Sequence, residues 1–69
     1  MERRGVVSSN IRSVGYDQDD EILEIEFNNG AIYQYFDVPQ SAYSDLITAE
    51  SVGSYLARHI KGNYRYSRV

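Results

Sequence analysis

The stretch Ile22-Leu23-Glu24-Ile25-Glu26-Phe27 alternates strictly from Leu23 onward, placing Leu23, Ile25 and Phe27 on one face of a strand and Glu24 and Glu26 on the other. Asn28-Asn29-Gly30 follows, a run of residues that tolerate positive φ, and it predicts a hairpin turn. Ala31-Ile32-Tyr33-Gln34-Tyr35-Phe36, rich in aromatic and β-branched types, is the returning strand. Upstream, Ile11 to Asp17 suits a first strand containing Val14 and Tyr16. Its apolar positions do not alternate cleanly, and Gly15 marks a candidate bulge. Gln18-Asp19-Asp20-Glu21 is the polar turn between the first two strands. Three successive strands with short turns predict an antiparallel meander.

After Phe36 the period changes. Val38-Pro39 reads as a strand exit with Pro39 at the first position of a helix, where its missing N–H costs nothing. Ala42, Tyr43, Leu46 and Ile47 recur at helical spacing. Ser51 is positioned to cap a second helix in which Val52, Tyr55, Leu56, His59 and Ile60 form an apolar stripe, and Gly62 is its stop signal. Residues 63–69 alternate Tyr with polar side chains and are expected to be extended. Residues 1–8 read as a flexible lead-in, leaving 9–69 as a single domain. The predicted fold is α+β: a three-stranded antiparallel meander followed by two helices, packed as two layers. Leu23, Ile25, Phe27, Leu46, Ile47, Leu56 and Ile60 form its expected core.

The hairpin leaves two registers. With a two-residue loop, Asn29-Gly30, Tyr33 lies beside Glu26 and Tyr35 beside Glu24 on the solvent face. With Asn28-Asn29-Gly30 as the loop and Gly30 as a bulge, both tyrosines join Leu23, Ile25 and Phe27 in the core. The second is favoured because it leaves Gln34 outside, where its amide needs no buried partner.

Composition narrows the picture. The 69 residues leave room for one core, and the absence of Cys removes disulfides and thiolate metal sites as supports for it. Seven Tyr stand against two Phe and no Trp. The basic start Met1-Glu2-Arg3-Arg4-Gly5 is followed by no long apolar run, so no signal peptide is expected. No segment approaches transmembrane length, and a reducing cytoplasm is the expected location. Charge is distributed unevenly within the net −3. Ten acidic residues against three basic ones precede Ser51, a net of −7, whereas residues 51–69 carry four cations and no acid, a net of +4.

Taken together, Ile11…Gly15-Tyr16-Asp17, the hairpin Phe27…Gly30, Tyr33-Gln34-Tyr35 followed by Val38-Pro39, and Ser51-Val52-Gly53-Ser54-Tyr55 with His59-Ile60 and Tyr64 resemble the KTSC domain family. The resemblance runs from about Ser8 to the end, and its hallmark is the central Y-x-Y. That family is named for a C-terminal extension of some lysyl-tRNA synthetases and includes stand-alone small bacterial proteins. It implies an RNA-binding role only through the synthetase context.

Two groups are candidates for contact with RNA, either tRNA or a single strand. Arg58, Lys61, Arg65 and Arg68, interleaved with Tyr64 and Tyr66, combine phosphate-binding cations with rings that stack on bases. Arg58 and Lys61, three apart, are expected to share a helix face. The plainer reading of this cluster is a solvated helix face with cations near a helix C-terminus. Tyr33 and Tyr35 form the second group, a stacking platform if exposed and core packing if not.

Other chemistry finds little support. His59 is the only His and has no ligand partner at helical spacing, so no metal site is expected. Asp17-Gln18-Asp19-Asp20-Glu21 begins like a calcium loop but has Ile22 where the turn Gly is required and Asn28 where the bidentate Glu belongs. No nucleophile elbow and no phosphate-binding Gly-rich loop occurs. The expectation is a non-catalytic module without cofactor that contacts RNA or nucleic acid. The alternative is a protein–protein or assembly domain using its open sheet face or edge.

Overall fold

The alternating stretch around Ile25 forms the middle strand of a five-stranded antiparallel sheet in the computed structural model, which describes residues 1–69. The strands are β1 (Arg3–Gly5), β2 (Ile11–Asp17), β3 (Ile22–Phe27), β4 (Ile32–Tyr35) and β5 (Tyr66–Arg68), paired in that order. Helix α1 (Gln40–Thr48) and the short helix α2 (Val52–Tyr55) connect β4 to β5. The α+β class and two helices are as expected, but the meander is extended by a strand at each edge. The lead-in over residues 1–8 contains β1, and the extended tail pairs with β4 as β5.

Strand β2 explains its own irregular pattern. Ile11 and Val14 are three residues apart and would face opposite sides of a regular strand. A register shift between Ile11 and Ser13 inserts the extra residue that turns both inward, so both are buried. The bulge is thus at Arg12, not at Gly15. Gly15 pairs regularly with both Arg3 and Glu24. Its lack of a side chain serves a close approach instead, since a Cβ there would lie 2.7 Å from Arg3 Cγ and 2.9 Å from the Glu2 carbonyl.

The hairpin between β3 and β4 has the three-residue loop. The Phe27 N–H donates to the Ala31 carbonyl at 2.8 Å, and Gly30 sits at φ 91°. No atom lies within 4 Å of where a Gly30 side chain would begin. Gly30→Val therefore loses stability through backbone strain alone, by about 1–2 kcal/mol, read as a lower denaturant midpoint with an unchanged slope.

Pro39 occupies the N-cap of α1 rather than its first turn. Ser51 caps α2, its Oγ accepting from the Ser54 N–H at 3.2 Å. After Tyr55 the backbone widens into a π-helical turn over Leu56–Ile60, closed by the Lys61 N–H donating to the Leu56 carbonyl at 2.9 Å. The side chains supply the reason. Val52, Leu56 and Ile60 are buried and spaced every four residues, more than the 3.6 of an α-helical turn, and widening the turn keeps them in line over the sheet. His59 falls off this line, exposed, with its ring 4.5 Å from that of Tyr55.

The core joins Ile11, Val14, Leu23, Ile25 and Tyr35 of the sheet to Leu46, Val52, Leu56 and Ile60 of the helical layer, with Val38 from the connection. Phe27 and Ile47, expected inside, are half-buried against it. Tyr16 ties the layers together. Its ring stacks on Tyr43 at 4.9 Å, and its hydroxyl donates to the Val38 carbonyl at 2.5 Å. Burial, followed by the nearby Glu21 and Asp17, raises the Tyr16 pKa. The acidic run closes as a turn in which Asp17 Oδ1 accepts from the N–H groups of Asp19 and Asp20.

Candidate nucleic-acid interface

The three-residue loop sets the register Leu23↔Tyr35 and Ile25↔Tyr33, which turns both tyrosines of the Y-x-Y toward the helical layer. Gln34 consequently lies on the outer face, its Nε2 donating to Glu24 Oε1 at 2.9 Å. Strand β5 continues the inner rows, with Tyr66 opposite Tyr35 and Arg68 opposite Tyr33. The helical layer covers this face unevenly. Tyr35 is only 3% exposed, whereas Tyr66 at the edge is 62% exposed and Tyr33 is half-buried. Burial, with Tyr33 and Tyr66 adding to it, raises the Tyr35 pKa.

An open groove of about 640 Å³ lies where the sheet meets the Lys61-Gly62 turn. Phe27, Tyr33, Tyr35 and Tyr66 line it together with two cations, Lys61 and Arg68. Tyr66 packs its ring 5.7 Å from that of Tyr33 and 5.8 Å from that of Tyr35, while Phe27 meets Tyr33 edge-to-face at 5.6 Å. Lys61 Nζ stands 5.5 Å from the centroid of Phe27. The chain leaves the helix at this residue with extended backbone, which is what swings Lys61 into the groove. A second cleft shares Phe27, Asn29 and Lys61 with the first and continues past Asn10 and Gly53.

The cations differ in what they are free to do. Arg3 pairs with Glu24 at 3.5 Å, Arg12 with Glu26 at 3.9 Å, and Arg65 with Asp37 at 3.1 Å. Lys61 and Arg68 have no acidic partner. The outer face of the sheet carries Glu24 and Glu26, each matched there by an arginine.

The structure divides the expected C-terminal cluster. Lys61, Tyr66 and Arg68 gather in the groove and are joined there by Tyr33 and Tyr35. Arg65 is drawn off to Asp37 and lies 5.7 Å from the Phe36 ring. Tyr64 is half-buried against the core. Arg58 is exposed on the π turn and, unlike Lys61, lines neither cleft. Phe27 is the groove residue that strand alternation hides, since that pattern assigns it wholly to the core.

Comparison with known proteins gives the chain a family context. Residues 7–64 match the family model described as the KTSC domain. An uncharacterised protein from Stutzerimonas stutzeri is 41% identical over 70 residues, covering 100% of this chain and 99% of its own. A lysine–tRNA ligase from Nostoc punctiforme is 38% identical over 59 residues, covering 86% of this chain but 10% of the ligase. The crystal structure of a KTSC domain protein from Yersinia pestis superposes with a TM-score of 0.93 at 39% identity, covering 99% of this chain and 96% of that one.

Proposed function

The chain belongs to the KTSC domain family, and we propose that this member is a non-catalytic binding module whose ligand is RNA. The observation that carries this reading is the groove itself, where aromatic rings and two unpaired cations share one concave surface. Rings of this kind stack on bases, and cations of this kind neutralise phosphates, without demanding a particular sequence. The similarity to a segment of a lysine–tRNA ligase is consistent with an RNA ligand, although the chain spans only 10% of that enzyme.

Titration of the domain with tRNA, read by fluorescence anisotropy across a salt series, tests the proposal. Phosphate contacts from Lys61 and Arg68 predict a slope near −1.4 in log affinity against log salt, or about a sevenfold loss between 50 and 200 mM. An association indifferent to salt, or none at low ionic strength, ends the RNA reading.

Assembly through the sheet has less to stand on. Both edge strands are three residues long and carry arginines, which blunts edge-to-edge pairing. The outer face is occupied by the Arg3–Glu24 and Arg12–Glu26 pairs.

A further inference from the structure

We infer, resting on the RNA reading above, that the groove takes an unpaired strand rather than a duplex, with a base stacked on Tyr66 beside Tyr33 and the flanking phosphates on Lys61 and Arg68. The aromatic rings line an open groove bounded by β4, β5, the end of β3 and the Lys61-Gly62 turn, so a duplex would meet its rim before its rings. A base in a duplex would have to leave its stack to reach them, whereas an unpaired base arrives without that cost. Tyr66 is the accessible ring, 62% exposed, while Tyr35 beneath it is shut off at 3%. Arg68 lies opposite Tyr33 in the strand register, and Lys61 stands over Phe27 at the other side, so the cations flank the rings. Lys61 also lines the adjoining cleft, which gives a strand a continuous path past Asn29 toward Asn10 and Gly53. On the opposite sheet face Arg3 and Arg12 are engaged by Glu24 and Glu26, so the unpaired groove cations are the ones available to phosphate.

The test compares a labelled, unstructured single-stranded RNA of about 20 nucleotides and mixed sequence with the same strand annealed to its complement, at equal low salt and below the melting temperature of the duplex. The single strand is expected to bind at least about fivefold tighter, the lower end for one base–aromatic stack. Tyr66→Ala is expected to weaken single-strand binding by about 5- to 150-fold while leaving the salt slope unchanged, and Tyr66→Phe to retain it. The thermal melt of each variant guards against a folding defect, which the exposure of Tyr66 makes small. Equal or tighter binding of the duplex overturns the inference while leaving the RNA reading intact. So does a Tyr66→Ala variant that melts like the parent and binds the single strand as well as it does. If neither RNA binds, both readings fall together.

Discussion

Ile25→Ala is expected to destabilise the domain by about 2–5 kcal/mol, more than any other single substitution proposed for this chain. Ile25 is completely buried on the central strand, between Val14 of β2 and Tyr33 of β4. Its truncation removes apolar contacts from a core of ten buried side chains, and no spare layer exists to collapse into the cavity. A domain of 69 residues starts with little stability to lose. At roughly 4–8 °C per kcal/mol, the melting temperature should fall by at least about 8 °C. A loss under about 1 kcal/mol would mean that the core is not organised around β3.

Reversing Lys61 and Arg68 together to Glu should abolish detectable RNA binding, a loss of at least about tenfold. That requires only about 1.4 kcal/mol from two charged contacts. Because both cations lack acidic partners, the fold has little at stake in them. The contact of Lys61 with Phe27 is worth about 0.5–1 kcal/mol, so the melting temperature should shift by less than about 8 °C. Arg58→Glu is the matched control. It alters the same helix-to-tail region but lines no cleft, and its effect on binding should be smaller than that of either groove cation alone. If Arg58→Glu proves as damaging as the double reversal, affinity comes from the overall field of the C-terminal part and not from the groove.

Much of this molecule is legible in the order of its residues. Strict alternation from Leu23 to Phe27 marks the central strand, and Asn28-Asn29-Gly30 marks its turn, because each reports a local geometry that only certain residue types allow. Ser51 announces a helix start for the same reason. The edge pairings leave less of a mark: the alternation over 63–69 shows an extended tail but not its partner, and β1 shows nothing. Arg3-Arg4-Gly5 and Tyr66-Ser67-Arg68 bury nothing and are defined by backbone pairing with a neighbour, which leaves little imprint on side-chain pattern. The bulge at Arg12 scrambles the alternation of β2, and the residue types alone then point to Gly15 instead.

The candidate site shows the same division more sharply. Residue types and local spacing are enough to establish an α+β class and a C-terminal part rich in cations and tyrosines, and to favour the three-residue loop that turns Tyr33 and Tyr35 inward. From periodicity, core packing and stacking platform are alternatives, one for each face of the sheet, and that choice is incomplete. Tertiary structure grades the burial along the one inner face instead: Tyr35 is sealed, Tyr66 is left exposed, and Tyr33 lies between them. It also decides which cations line the groove, sending Arg65 to Asp37, 28 positions away in the chain, and bringing Lys61 over Phe27. Periodicity reports the side toward which a residue points. How far a covering layer extends, and which distant charge neutralises which cation, depend on contacts between elements far apart in sequence, and no local pattern encodes them.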